Sequence, residues 1–367
     1  MPLQFFDITR QNSDLKSALS EQVSSVINSG RYILGENVSA LEKEIAKYVG
    51  TKEAVGVSSG TEALHLALRA AGVGPGDEVI TSPFTFVATA EAIAYCGATP
   101  IFVDIEPNSF NIEAYTIEQK ISKKTKAILP IHLYGQACQM DSIMEVAKAY
   151  KLKVVEDCAQ AFGATWQDKQ VGSFGDAGAH SFFPTKNLGC FGDGGMVTTN
   201  DERFAAELRV LRGHGSRKTY HYDIIGYNSR LDEIQAAILR VKLPHLDHFI
   251  ENRRHNANIY HNILKNMPSL QLPPEICGSK HTYNQYVVRV EKRDQLIDHL
   301  KAKGIPTMVY YPLSLHLQVA FANLGYKPGD FPICEKAQNE VLALPIFPEL
   351  NETEIHTVAT AIKEFLS

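Results

Sequence analysis

Short apolar runs alternate with helical stretches through the first half of this chain, and this alternation limits the folds available to it. The apolar runs have the length and composition of strands and cover residues 54–58, 78–81, 101–105, 127–133, 153–157, 177–183 and 196–199. Stretches with helical character, such as residues 141–150, lie between most of them. Because parallel strands need long crossover connections, which helices usually supply, the pattern predicts a mainly parallel sheet with helices on both faces.

The rest of the chain predicts a second, smaller unit. After Leu231, apolar residues recur at helical spacing until Pro244 interrupts them. Beyond this point residues 284–290 and 307–311 are predicted as strands, and residues 293–303, 333–343 and 352–365 as helices. We therefore expect a large α/β/α domain over residues 1–243, which includes an N-terminal arm, and a small C-terminal α/β domain over residues 244–367.

The composition excludes several classes of function. The 367 residues are 44% hydrophobic, and a net charge of −5 gives no general attraction to nucleic acid or to anionic lipid. The first residues have neither a basic start nor a long apolar core, and no apolar run approaches the roughly 20 residues that span a bilayer. The six cysteines are scattered and the thirteen histidines show no metal-ligand spacing. We expect reduced thiols, no metal site and a cytoplasmic location.

One lysine has the surroundings of a reactive amine. Lys186 follows Pro184 in a turn between two strand-like runs, with glycines and hydroxyl side chains nearby. An ammonium group that loses hydration has a lowered pKa, and the neutral amine is then a nucleophile. Lysines of this kind form Schiff bases with carbonyl compounds, including pyridoxal phosphate. A solvated loop lysine is the alternative for Lys186 taken alone.

An acidic residue lies at the carboxyl end of an earlier strand-like run. Asp157 ends the run at residues 153–157, and Gln160 follows three residues later. A fixed carboxylate beside a pyridine nitrogen keeps that nitrogen protonated, which is what a pyridoxal cofactor requires. Gln160 is a candidate neighbour of the same ring. A carboxylate that caps the next turn is the alternative reading of Asp157.

Two further segments suit a phosphate group and a planar ring. Gly60 and Thr61 open a helix after a strand, where free amides and the helix dipole favour an anion; an ordinary N-cap is the alternative. Phe86 follows the run at residues 78–81 and can stack on a ring or pack in the core. Since ligands bind beyond the carboxyl ends of strands in open sheets, these residues, Asp157 and Lys186 are predicted to share one site.

Four motifs in this order resemble a known family. They are Ser-Ser-Gly-Thr-Glu-Ala-Leu from residue 58, Glu-Asp-Cys-Ala-Gln from 156, Ser-Phe-Phe-Pro-Thr-Lys-Asn from 181 and Gly-Tyr-Asn-Ser-Arg at 226–230. Over essentially its whole length the chain resembles the sugar aminotransferases named after the DegT, DnrJ, EryC1 and StrS proteins. The resemblance implies an aspartate-aminotransferase-like fold (fold type I) and pyridoxal 5′-phosphate as the cofactor.

The resemblance also implies a role for each candidate residue. Lys186 would bond to the cofactor and Asp157 would contact the pyridine nitrogen. The remaining cofactor contacts would be Phe86 and Gln160 on opposite ring faces, Gly60, Thr61 and Ser181 at the phosphate, and Asn228 at the phosphate of the neighbouring subunit. The last contact implies a homodimer with shared active sites. Because the chain keeps a lysine where dehydrating members have histidine, transamination is expected.

The substrate is predicted less closely. The resemblance implies glutamate as amino donor and a nucleotide-linked keto-sugar as acceptor, with the amino sugar used for polysaccharide, such as O-antigen, or for natural products. The segment Pro-Thr-Lys-Asn-Leu-Gly, followed by Gly-Asp-Gly-Gly, resembles that of family members that aminate carbon 3, so the resemblance favours carbon 3. A carbon-4 keto-sugar or an aminocyclitol is the alternative. Two further alternatives come from other classes of function. They are a non-catalytic regulator, against which the acidic net charge argues, and a lyase or decarboxylase of the same fold.

Three residues are candidates for substrate binding. Arg230 suits an anionic part of the sugar nucleotide, and an ion pair at a subunit interface is equally compatible with it. Tyr311 and His316 are candidates for the wall of the sugar pocket, with packing inside the small domain as the alternative. The basic stretch at residues 212–218 is predicted as either an active-site loop or a solvated loop.

Overall fold

The structure is a computed structural model that describes residues 3–367. Its eleven α-helices within this range are α1 Ile8–Ser29, α2 Glu36–Val49, α3 Gly60–Ala70, α4 Ala88–Tyr95, α5 Met140–Tyr150, α6 Glu202–Arg212, α7 Glu233–Lys242, α8 Leu246–Leu264, α9 Arg293–Ala302, α10 Pro332–Glu340 and α11 Glu352–Leu366.

Fourteen strands are described in the same range. They are β1 Glu53–Val57, β2 Glu78–Thr81, β3 Thr99–Phe102, β4 Thr125–Ile128, β5 Lys153–Asp157, β6 Thr165–Trp166, β7 Lys169–Gln170, β8 Ala177–Ser181, β9 Gly195–Thr199, β10 Ser216–Lys218, β11 His221–Tyr222, β12 Ser279–Lys280, β13 Tyr286–Arg289 and β14 Val341–Leu344.

Seven of these strands form a central sheet in the order β1-β9-β8-β5-β4-β2-β3. The neighbours from β8 to β3 pair in parallel, whereas β9 runs antiparallel to both β1 and β8. The prediction of a mainly parallel sheet is therefore confirmed. The parallel order places the carboxyl ends of β2, β5 and β8 at one edge, and the residues that follow these strands can meet there.

Alternate residues of the strands face opposite layers of helices. Val155 of β5 packs in the cluster that contains α3 and α6, and its neighbour Val154 packs in the cluster that contains α5. A third cluster holds α2 and α7 against the sheet. This two-residue periodicity, with both faces covered, explains why the strands read as continuous apolar runs.

The C-terminal part has its own core. The antiparallel pair β13–β14 packs against α8, α9 and α11. The N-terminal segment is attached to it, because the Arg10 guanidinium donates two hydrogen bonds to the Glu354 carboxylate, at 2.8 and 2.6 Å. The domain boundary after residue 243 stays a prediction. Within residues 3–367, no helix combines the length and the apolar character needed to cross a membrane.

Three boundaries predicted from the sequence are wrong. The helix predicted over 333–343 ends at Glu340, and Val341–Leu344 is strand β14, because its buried residues pair with β13. The strand predicted over 307–311 is reduced to one bridge between Met308 and Ala343. The run at 127–133 is a strand only as far as Ile128.

Candidate active site

The lysine singled out in the sequence lies in the loop after β8. The Lys186 backbone N–H donates to the Phe183 carbonyl at 2.9 Å, which closes a turn and directs the chain back toward β9. The side chain is partly exposed, but protein atoms surround its ammonium group. This desolvation lowers the pKa of Lys186 to about 8, although the negative charge of Asp157 acts in the opposite direction. Lys186 and Asp157 are therefore close enough to interact electrostatically.

Asp157 is held at the end of β5 by two hydrogen bonds. Its Oδ1 accepts the Ala159 N–H at 3.1 Å, and its Oδ2 accepts the Thr89 hydroxyl at 2.8 Å. The Thr89 hydroxyl is also 3.0 Å from the hydroxyl of Thr85. Burial raises the pKa of Asp157, whereas these bonds and the positive charge of Lys186 lower it. Neither threonine is predicted from the sequence; the available signal is two hydroxyl residues at i, i+4 in the segment that follows β2.

The preceding residue, Glu156, points away from Asp157 and stabilises a different part of the fold. His132 Nδ1 accepts the Cys138 N–H at 3.0 Å, so the His132 proton is on Nε2, 3.1 Å from Glu156 Oε2. Burial raises the pKa of Glu156, but hydrogen bonds hold it below its usual value. Besides His132, three backbone N–H groups donate to the Glu156 carboxylate, those of Gly172, Phe174 and Gly175. Although His132, Glu156 and Cys158 have ligand atoms within 4.8 Å of one another, this carboxylate is already saturated with donors.

The start of α3 and the end of β8 lie close together, at the point predicted for a phosphate. The Ser59 hydroxyl and carbonyl accept the N–H groups of Glu62 and Ala63, at 3.1 and 2.9 Å, which leaves the Gly60 and Thr61 amides at the helix start for a ligand. A Cβ on Gly60 would lie 2.6 Å from Ser181 Cβ and 2.9 Å from Ser181 Oγ. Only glycine permits this approach, so the structure fits an anion at this point.

Gln160, Tyr311 and Phe86 lie next to one another beside Asp157. Gln160 Oε1 accepts the Tyr134 N–H at 2.8 Å, and Gln160 Nε2 donates to the Tyr311 hydroxyl at 2.9 Å. The Tyr311 ring is 6.4 Å from that of Phe86, which is 56% exposed. Burial raises the pKa of Tyr311, and the charge of Asp157 adds to this effect. The stacking role of Phe86 stays a prediction.

The remaining candidates are not gathered at this point by any contact within residues 3–367. His316 is buried, with Nε2 3.1 Å from Glu335 Oε1 and its ring against Phe331, which is the packing alternative. Arg230 is half-buried and makes no ion pair in that range. Asn228 is exposed. The basic stretch at residues 212–218 leads into the exposed hairpin β10–β11.

Curated proteins resemble the chain over its full length. The family model described as the DegT/DnrJ/EryC1/StrS aminotransferase family matches residues 13–363. A protein of Geobacillus stearothermophilus named "Pleiotropic regulatory protein" is 50% identical over 100% of this chain and 99% of its own length. The UDP-N-acetyl-3-dehydro-alpha-D-glucosamine 3-aminotransferase of Acidithiobacillus ferrooxidans is 45% identical over 98% and 97%. The dTDP-3-amino-3,4,6-trideoxy-alpha-D-glucose transaminase of Streptomyces venezuelae is 41% identical over 98% and 95%.

Solved structures give the same result. DesV of S. venezuelae, in complex with a ketimine intermediate, has a TM-score of 0.98 and 40% identity, covering 100% of this chain and 99% of that chain. NtdA of Bacillus subtilis, with bound cofactor PMP (pyridoxamine 5′-phosphate), has a TM-score of 0.93 and 30% identity, covering 100% and 85%. The predicted aspartate-aminotransferase-like fold is confirmed by these neighbours.

Proposed function

The chain belongs to the DegT/DnrJ/EryC1/StrS aminotransferase family, and we propose that it transfers the amino group of glutamate to carbon 3 of a nucleotide-linked keto-sugar. The protein is a pyridoxal-phosphate-dependent aminotransferase. The observation that carries transamination is the desolvated amine of Lys186 beside the buried carboxylate of Asp157, whereas carbon 3 rests on the relatives. The Acidithiobacillus and Streptomyces relatives are named for amino transfer and not for a lyase or decarboxylase reaction.

The residues at the strand ends fit the cofactor. Pyridoxal phosphate, when bound, supplies an aldehyde that carries the amino group and a ring that withdraws electrons from it. Gly60 and Ser181 approach closely enough to hold its phosphate, with Thr61 at the helix start. Asp157 is the proposed partner of the ring nitrogen. Phe86 and Gln160 are proposed to lie on opposite faces of the ring.

Lys186 is proposed to move the proton during the reaction. With a pKa of about 8, a substantial fraction of the amine is neutral near neutral pH. The neutral Nζ can take the α-proton of the amino donor and return it to a neighbouring carbon, acting as base and then as acid. Asp157 takes no proton in this scheme. Burial raises its pKa, and its two hydrogen bonds and the charge of Lys186 act in the opposite direction, toward the ionised carboxylate.

Carbon 3 is supported by the relatives. The Acidithiobacillus and Streptomyces proteins are both named for nitrogen at carbon 3 of a sugar carried on UDP or dTDP. A carbon-4 keto-sugar or an aminocyclitol is the second candidate within the family. The name of the Geobacillus relative states no reaction. Because Lys186 is present with a lowered pKa, we favour catalysis over a purely regulatory role.

We also propose a homodimer in which Asn228 reaches the partner's cofactor phosphate. Asn228 is exposed, and large apolar side chains are exposed at Ile33 and Phe191, near the start of α7. Tyr32 and Leu34 on either side of Ile33 are exposed as well, and a group of exposed apolar side chains on neighbouring segments supports an interface at this point. Arg230 is proposed to contact either an anionic group of the substrate or the partner subunit.

The free cysteines among the described residues support a reducing, cytoplasmic location.

A substrate panel tests the proposal. The enzyme is incubated with glutamate and with UDP- or dTDP-linked 3-keto and 4-keto sugars, and 2-oxoglutarate and amino sugar are measured by mass spectrometry. We expect both products with 3-keto sugars and neither with the Lys186→Ala variant. Turnover of 4-keto sugars alone would disprove the carbon-3 assignment, and amino-acid breakdown without a sugar acceptor would disprove transamination.

A further inference from the structure

We propose that Thr85 and Thr89 form a directional hydrogen-bond chain that positions the Asp157 carboxylate for the pyridine nitrogen of the cofactor. Both threonines are positioning residues, because they act through Asp157. The inference rests on the role proposed above for Asp157. Neither threonine takes part in the chemistry itself. The geometry of the Asp157 carboxylate nevertheless depends on them, and so on the segment that follows β2.

The direction of the chain follows from counting protons. A threonine hydroxyl has one proton to donate, and an ionised carboxylate can only accept. Thr89 Oγ1 lies 2.8 Å from Asp157 Oδ2, so the Thr89 proton is used there. Thr85 Oγ1, 3.0 Å from Thr89 Oγ1, must therefore be the donor in that pair. A hydroxyl that accepts one hydrogen bond donates more strongly, so Thr85 reinforces the bond to Asp157.

The second carboxylate oxygen is fixed separately. Asp157 Oδ1 accepts the Ala159 N–H at 3.1 Å. With one fixed donor on each oxygen, the carboxylate cannot rotate about its terminal torsion without breaking a hydrogen bond. Lys186 also acts on this carboxylate, through its positive charge and without a hydrogen bond within residues 3–367, and the His132 and Tyr311 side chains lie near it.

Burial prevents water from replacing the chain. Thr85 is 3% exposed, Thr89 1% and Asp157 5%. Removing a buried donor to a charged acceptor therefore costs more than it would at a surface. Thr85 also precedes Phe86, the proposed ring-stacking residue, and Thr89 lies in the first turn of α4. One short segment thus determines both the position of Phe86 and the orientation of the Asp157 carboxylate.

The test replaces the donor without changing its shape. Apoenzyme is titrated with pyridoxamine 5′-phosphate labelled with ¹⁵N in the ring, and both the Kd and the ¹⁵N shift of the bound ring are measured. Thr89→Val should raise the Kd about tenfold, the size expected for a lost hydrogen bond to a buried charge, and move the shift toward the unprotonated value. Thr89→Ser, which keeps the hydroxyl, should stay within about twofold of the wild type.

Matched variants separate this effect from general damage. Thr81 is fully buried, and its hydroxyl donates to the Leu129 carbonyl at 2.8 Å, so Thr81→Val should alter stability without altering Kd or the ¹⁵N shift. Wild-type Kd and shift in Thr89→Val, or equal behaviour of the Val and Ser variants, would overturn the proposal. If Thr89→Val does not fold, Thr85→Val decides: a smaller change in the same direction supports the chain, and no change overturns it. An Asp157→Asn variant with wild-type Kd and shift would instead refute the role of Asp157 itself.

Discussion

The amine of Lys186 should titrate near pH 8, and removing the charge of Asp157 should lower this pKa further. Desolvation is the larger influence on Lys186, and it lowers the pKa from 10.5 to about 8 against the opposing attraction of Asp157. This difference corresponds to roughly 3 kcal/mol of lost stabilisation of the charged form. At pH 7.5 about a quarter of the amine is then neutral, compared with about one part in a thousand for an ordinary lysine.

The Asp157→Asn variant tests the electrostatic part of this account. It removes the attraction that raises the pKa of Lys186 and leaves the desolvation in place, so the pKa must fall below about 8. The neutral fraction at pH 7.5 increases accordingly. The variant is nevertheless expected to lose activity, because an amide does not hold a proton on the ring nitrogen. A more nucleophilic lysine and a less active enzyme should therefore appear together.

The measurement is ¹³C NMR of apoenzyme labelled at lysine Cε, titrated with pH, with Lys186→Arg used to assign the signal. Lys242 is an internal control: burial lowers its pKa to about 8 as well, but the groups that act against this lowering are Cys190 and Glu349 rather than Asp157. Its titration should not respond to Asp157→Asn. A Lys186 midpoint near 10.5 would refute the desolvation argument, and an unchanged midpoint in Asp157→Asn would refute the coupling.

Three further predictions concern the same site. Gly60→Ala should destabilise the protein by about 1–3 kcal/mol in thermal unfolding and weaken the binding of pyridoxamine 5′-phosphate in a titration, because the new Cβ lies 2.6 Å from that of Ser181. Gly74→Ala is the control, because the nearest atom to its new Cβ is 3.9 Å away. Lys186→Ala should lower turnover by at least about 10²–10⁴-fold while calorimetry still detects bound cofactor. Asn228→Ala should retain cofactor poorly without unfolding, and mixing it with Lys186→Ala should restore part of the activity; active, cofactor-loaded monomers in sedimentation would contradict the shared site.

The sheet was predictable because burial on both faces leaves a clear mark in the sequence. Val154 and Val155 face different helix layers, so both must be apolar, and the strand reads as a continuous run. The reversed direction of β9 leaves no such mark. Residues 341–343 are predicted as helix because they continue the pattern of α10 without a breaker. Its strand conformation comes from pairing with β13, which is a tertiary contact.

The site was predictable where position along a strand decided it. Asp157, Gly60 and Lys186 lie at or beyond strand ends, and the parallel order of the sheet gathers such residues at one edge. Thr89 was missed because a threonine after a strand is equally typical of a helix cap, and its bond to Asp157 spans 68 residues. For His316, the contacts with Glu335 and Phe331 could not be read from its sequence neighbours; its role at the substrate stays a prediction.

The proposed phosphate site depends on two close approaches between segments that are distant in sequence. A Cβ on Gly195, at the start of β9, would lie 2.3 Å from the Ser59 carbonyl oxygen, and a Cβ on Gly60 would lie 2.6 Å from Ser181 Cβ. Ser59 therefore packs tightly against β9, and Gly60 packs tightly against the end of β8. Because β8 and β9 are paired antiparallel, with Ser181 opposite Gly195, these contacts fix the start of α3 over a single rung of the sheet. Lys186 lies in the loop that joins the same two strands, so the strand pair that carries the proposed phosphate contacts also positions the start of the loop that carries Lys186.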